Sequence, residues 1–239
     1  MVAKTTDTAT FNLDLSELVE EAFERAGSEL RSGYDMRSAR RSLNLLTIEW
    51  ANRGINMWTI EQGTISLVSG TATYDLPVDT IDLLEHSIRT GTSTNQVDVN
   101  ISRISVSTYA TIPNKNATGR PIQIWVKRRS GATDSSNTTV PPQVTVWPVP
   151  DPSNSYTLVY WRLRRIQDAG NGVNGQDIPF RFLPAMVSGL AYYIAMKIPG
   201  QEQRAIALKA VYEEQFQLAA DEDREKAPVR FVPRMSFLR

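Results

Sequence analysis

"WANRGINMWTIEQGTISLVSGTATYDLP", residues 50–77, joins two kinds of chain. Its left end closes a helix: Met36, Ala39, Leu43, Leu46 and Trp50 recur at steps of three and four, and Gly54 stops the run. Its right end is rich in threonine, serine and valine and halts at Pro77, the pattern of short strands. The hydrophobic period therefore changes near residue 60. Where it changes back decides the fold.

Upstream, "LDLSELVEEAFERAG" places Leu15, Leu18, Val19, Ala22, Phe23 and Ala26 on one helical face. Asp14 with Glu17 predicts a capping box, and Gly27 a C-terminal stop. Downstream, "GTISLVSG", "ATYDLP", "TIDLLEHSIRT" and "NQVDVNIS" are short, β-branched and punctuated by turn residues. "IQIWVKRR" (122–129) and "QVTVWPVP" (143–150) predict a hairpin around a long polar loop. "SYTLVYWRLRR" (155–165) is apolar on both faces, with Leu158 and Tyr160 on one and Val159, Trp161 and Leu163 on the other, which predicts a strand covered on both sides. After the Gly/Asn-rich 168–177 the helical period returns. Leu183, Met186, Leu190 and Ile194 mark one helix, and Leu208, Val211, Tyr212, Gln215 and Ala219 the next.

Amphipathic helices cannot bury their stripes alone. The fold class expected is α+β: a four-helix-type bundle interrupted by an inserted antiparallel β domain, with an extended C-terminal arm. Residues 1–60 and 178–226 form the two parts of the helical domain, 61–177 the insertion and 227–239 the arm.

Composition narrows the chemistry. The 26 basic and 26 acidic side chains balance, which argues against coating nucleic acid by bulk attraction. There is no cysteine, so disulfides, thiolate catalysis and cysteine-based zinc sites are excluded. The lone histidine, His86, is read as half-buried and cannot supply a multi-histidine metal site. No cofactor or metal is expected. The N-terminal MVAKTTDTAT lacks an apolar h-region, so no signal peptide is expected, and no apolar run approaches membrane-spanning length.

Glu20 with Glu21, Glu213 with Glu214, and Asp221–Asp223 are the acidic groups a cell-wall glycosidase would need, but all lie on predicted solvated helix faces. Ser188, before a glycine in a helix, reads as a small packing residue. Lys127, Arg128 and Arg129, and Arg162, Arg164 and Arg165, sit near Trp125 and Trp161. That combination suits a sheet binding single strands, or a carbohydrate binder using the tryptophans. Charge that blocks edge pairing is the preferred reading, because the signal is only compositional. The arm "KAPVRFVPRMSFLR" carries Lys226, Arg230, Arg234 and Arg239 with Phe231, Val232, Met235 and Phe237 between them, and no acid. Such a segment docks on another subunit, its apolar residues as anchors. The turn 113–121, with Lys115 and Arg120, and the loop 130–142, with Thr133 and Asp134, read as interaction or inter-subunit surfaces. The alternative for the G-R-P turn is a purely structural role, with Gly119 supplying an unusual backbone angle and Pro121 starting a strand.

Four motifs, in order, resemble the head-to-tail adaptors of short-tailed phages, the tail tubular protein A type. They are W-x-x-x-G (50–54), Y-x-L-P (74–77), N-K-x-x-x-G-R-P (114–121) and W-P-x-P-D (147–151). The resemblance spans roughly residues 14–239. It implies a homo-oligomeric ring of twelve subunits beneath the portal protein, in the neck of the virion. DNA passes through the channel without sequence-specific binding, the arm climbs onto the portal, and the β region is a platform for a tail nozzle or tube protein. A tail-tube or baseplate protein is the alternative, weakened by four long helices. No membrane partner is implied.

Overall fold

The computed structural model describes residues 13–54, 57–129, 133–136, 138–170 and 176–224. The arm residues Arg230, Phe231, Val232, Arg234, Met235, Phe237 and Arg239 lie outside the described residues.

The first helix, α1 (Leu15–Ala26), begins at the Asp14 capping box. Glu17 N–H donates to Asp14 at 2.9 Å and Asp14 N–H to Glu17 at 3.2 Å. It ends at Gly27, whose φ of +78° suits glycine alone among common residues. A Cβ there would also meet the Arg204 guanidinium at 2.7 Å. Arg204 Nε donates to Arg25 O at 2.8 Å, so a later helix satisfies an orphan carbonyl of this one. All six residues of the α1 stripe are buried. The second helix, α2 (Gly33–Asn52), starts at a second capping box, Ser32 with Asp35, and buries Ala39, Ser42, Leu43, Leu46, Thr47 and Trp50. Met36, assigned to that stripe from its spacing, is only partly buried.

Ten strands and a short helix follow: β1 (Ile60–Leu67), β2 (Thr73–Asp75), β3 (Thr80–Thr90), β4 (Val97–Asn100), β5 (Ser102–Arg103), α3 (Val106–Thr111), β6 (Thr118–Gly119), β7 (Gln123–Lys127), β8 (Gln143–Trp147), β9 (Val149–Pro150) and β10 (Tyr156–Arg164). They form two four-stranded sheets, β1-β10-β3-β4 and β2-β8-β7-β5, and a small parallel pair β6-β9. Ile124, Val126, Val144 and Val146 from one sheet and Leu158, Tyr160, Leu83 and Ile88 from the other share one core. Leu83 and Ile88 have opposite parity, yet both point inward. A bulge at the Trp161/Arg162 step of the β10–β3 ladder absorbs the extra residue. The strand β10 is covered on both faces at Leu158 and Val159, but Trp161 is 37% exposed, so the double cover does not reach its end.

The chain returns to helix in α4 (Leu183–Ala195) and α5 (Glu202–Glu222). Ten of the thirteen residues of α4 are buried and only Pro184, in its first turn, is exposed, so the helix serves as the hub on which α1, α2 and α5 pack. The stripe of α5 is narrower than its sequence suggested: Ala205, Tyr212, Phe216 and Ala219 are buried, while Val211 is exposed.

The chain divides into a helical unit (residues up to 57 and from 168) and a β unit (58–167). The return falls before residue 177 because Ala169 is buried and its N–H donates to Asn44 Oδ1 of α2 at 3.0 Å. No described helix is long and apolar enough to cross a membrane.

Candidate functional site

The β7–β8 ladder pairs Gln123 with Trp147 at one end and Lys127 with Gln143 at the other. The turn 113–121 leads into the first end and the loop 128–142 closes the second. Five paired positions at about 3.3 Å each separate them. The two loops expected to act as interaction surfaces therefore lie at opposite ends of this ladder.

The far end is built from two of the sequence motifs. Trp147 Nε1 donates to Asn114 O at 3.0 Å, Val149 N to Ala117 O at 2.9 Å, and Thr118–Gly119 pairs in parallel with Val149–Pro150. The N-K-x-x-x-G-R-P turn and the W-P-x-P-D segment, with its cis Trp147–Pro148 bond, are thus one structure. Gly119 does not supply the unusual angle of the structural alternative: it has no positive φ, and a Cβ there would meet Pro148 at an ordinary 3.7 Å. Lys115 is occupied. Its Nζ donates to Ala110 O at 3.2 Å and Ile112 O at 3.0 Å, capping α3, and lies 5.6 Å from the Tyr109 ring, which stacks on Trp125 at 5.2 Å. Arg120 is exposed and has no hydrogen bond or ion pair among the described residues.

At the other end, the root, the chain passes in and out of the β unit: Ile60 pairs with Leu163. There Arg162, 12% exposed, bonds Asp79 at 2.5 Å and Glu61 at 2.7 Å, and Arg164 bonds Glu61 at 2.7 Å. Burial opposes the Asp79 charge, but the bond and charge of Arg162 outweigh it and hold that carboxyl below its usual range. Arg165 donates to Val78 O at 3.0 Å, and Arg128 lies 3.7 Å from Asp82. These arginines clamp strands together, which explains their clustering without nucleic acid. The described residues of the loop beyond them bond to one another. Thr133 bridges Thr139, and Asp134 Oδ1 accepts from Ser136 N and Thr138 N, each at 2.9 Å. Thr133 and Asp134 are both exposed.

In the helical unit a polar node lies within aromatic packing. Trp50 Nε1 donates to Tyr212 Oη at 2.8 Å, and Tyr212 and Tyr193 donate to Glu49 at 3.2 and 2.9 Å. Arg53 binds both Glu49 and Glu213 and lies 4.4 Å from the Phe216 ring centroid. Burial and then the bond to Glu49 push the Tyr193 hydroxyl up to about 12. The bond from Arg53 holds Glu213 below the usual carboxylate range. Glu213 is thus paired with a cation rather than poised against Glu214 as an acid/base couple. Ser188 is fully buried and accepts from Arg25 at 3.1 Å, a packing role. His86 is buried on the inner side of β3 opposite Tyr160, deeper than the half-buried position its sequence suggested. The described residues hold no group of three or more acidic or histidine side chains placed to bind a metal ion.

The opposite face of α2 is also informative. There Tyr34, Arg37, Arg41, Leu45 and Ile48 are all exposed. The signal was available: large apolar residues recur on the side away from the core.

Residues 13–232 match the family described as SU10 adaptor protein, in agreement with the resemblance carried by the four motifs. No curated protein matches the chain.

Proposed function

This chain belongs to the SU10 adaptor protein family, and from that premise we propose that it is a structural head-to-tail adaptor. Twelve copies form a ring below the portal protein, close the filled head and present the β unit to the next tail component. The DNA passes through without sequence-specific contact, and the protein performs no catalysis. The observation that carries this reading is the family match across residues 13–232. The two-unit build supports it: a helical unit offers faces for ring contacts, and a sandwich offers loops at two opposite ends for two different neighbours.

In this reading Arg120 at the far end and Thr133 and Asp134 at the root meet different partners. The arm, with Arg230, Phe231, Val232, Arg234, Met235, Phe237 and Arg239, docks on the portal. Each buried phenylalanine contributes about 1.5–3 kcal/mol, against roughly 1–2 kcal/mol per ordered residue. One arm alone binds weakly, and repetition around a ring supplies the strength. The test is the mass of a portal ring mixed with wild-type chain or with chain truncated after Lys226. Twelve added copies of the wild type and none of the truncated chain are expected. A portal ring that gains no wild-type copies would remove the adaptor reading.

A further inference from the structure

The exposed face of α2 is not an ordinary solvent face. Tyr34, Arg37, Arg41, Leu45 and Ile48 succeed one another at steps of three and four, and so form one ridge opposite the buried stripe. Tyr34, Leu45 and Ile48 are 64%, 57% and 57% exposed. A single exposed apolar residue is unremarkable. Three on one ridge, over about 21 Å of helix at 1.5 Å per residue, mark a contact surface. Neither Arg37 nor Arg41 has a hydrogen bond or ion pair among the described residues.

A surface of the opposite character lies on the same unit. Between α1 and the start of α4 runs a groove whose lining includes Leu13, Glu17, Glu20, Glu24, Arg25 and Pro184, so that, with Glu21, four of its charged side chains are acidic and one is basic. Glu17, Glu20 and Glu24 recur at steps of three and four and are exposed along its wall. Glu21, on the same face, is paired with Arg25 at 2.7 Å. Glu17 accepts Asp14 N–H at 3.2 Å, so the groove offers apolar atoms flanked by the carboxylates of Glu20 and Glu24, which have no hydrogen bond or ion pair among the described residues. The ridge offers apolar side chains interleaved with unmatched positive charge. Both face solvent in one chain, because the buried stripes of α1 and α2 are each spent on α4.

We propose that the α2 ridge of one copy seats in the α1–α4 groove of the next. This rests on the ring reading above and names the faces that build the ring. Nucleic acid is the weaker occupant of the ridge: Tyr34, Leu45 and Ile48 gain nothing from a phosphate backbone, and the chain carries no basic excess. The contact joins two different surfaces, so each added copy leaves one ridge and one groove free. Such a contact repeats and closes into a ring when its rotation permits.

Charge reversal tests it. One variant carries Arg37→Glu and Arg41→Glu, and the other Glu20→Lys and Glu24→Lys. All four positions are exposed, and circular dichroism checks that both variants fold. Assembly is followed by sedimentation, alone and on a portal ring. Each variant alone is expected to associate about a hundredfold more weakly than wild type. An equal mixture of the two is expected to recover, because the reversed ridge fits the reversed groove and the two native faces fit each other. Folded variants that assemble like wild type, or a mixture that fails to recover, would overturn the faces and leave the ring reading standing. Wild type that stays monomeric in every condition would remove both. A wild-type particle of two copies would overturn the repeating arrangement. Assembly intact but DNA binding lost in the ridge variant would hand the ridge to nucleic acid and overturn the proposal.

Discussion

Trp50 shows how one side chain can tie α2 to α5 and to the residue that leads into α4. Its ring packs at 5.4 Å from Phe182 and 5.6 Å from Phe216, and its indole N–H needs an acceptor that apolar packing cannot supply. Tyr212 supplies it and donates its own O–H to Glu49. Changing Tyr212 to Phe keeps the ring and removes the acceptor, leaving a buried donor unmatched. A loss of about 1–3 kcal/mol is expected, read as a lower denaturant midpoint with an unchanged slope. His86 makes a second prediction at this scale. Burial is the main reason its imidazole titrates below its usual 6.5, aided by the Arg103 charge and opposed by Glu85. Below pH 6.5 the unfolded chain therefore binds more protons than the folded one. Stability is complete above that pH and falls as the pH drops toward the folded value. His86 is the only histidine, so the slope of stability between pH 6.5 and the carboxylate range belongs to it. His86→Leu is expected to abolish that slope in a series of thermal melts. A slope unchanged in the variant would show that another group carries it.

Elements were read well where one period governed them. The six buried residues of α1 and the full span of β3 were legible, because a core stripe repeats at three and four residues and a strand breaks at glycine and proline. The hub role of α4 was not. A helix apolar on every side has no informative period, and only the packing of three neighbours shows why it needs none. The register bulge that turns both Leu83 and Ile88 inward was equally hidden, since strict alternation predicts opposite faces for them. The loop 128–142 was legible as a long polar hairpin, but not its place at the root. The Lys127–Gln143 pair is the last rung of its ladder. Neighbouring contacts at that rung, Leu76 N to Pro142 O at 2.8 Å and Gln143 to Asp75 at 2.9 Å, hold the strands without the tip. Deleting residues 132–138 is therefore expected to move the melting temperature by no more than a few degrees while weakening attachment of the partner that meets this end. A large fall in stability would mean the tip is part of the fold rather than a surface carried by it.

The whole molecule is an insertion, and its geometry explains why an insertion is tolerated. The chain leaves the helices before Ile60 and returns after Leu163, and these two residues are partners on adjacent strands. Strands lie about 4.8 Å apart, so the β unit begins and ends almost at one point. Each unit also holds its own core. Ten buried residues from the two sheets, with Leu76 and Ile101 beside them, close the sandwich, and the Arg162, Asp79 and Glu61 cluster that pins its root lies wholly within 58–167. In the helical unit Trp50, Tyr212, Phe182 and Phe216 join segments on both sides of the insertion. The four motifs follow this division. W-x-x-x-G begins at the aromatic centre of the helices. Tyr74 of Y-x-L-P bonds Val68 and Thr71 to close the first turn of the sandwich, and the other two motifs form its far end. If cores and not continuity of chain define the units, both should survive separation. Residues 58–167 expressed alone are expected to melt in one cooperative transition with a β-type spectrum. The remaining chain, with residue 57 joined to 168 by a short glycine–serine linker, is expected to keep the helix content of the full protein and its own transition. Closing so short a loop adds little entropic cost. A sandwich without a cooperative melt, or a relinked helical unit that loses its helix content, would show that the two cores depend on each other.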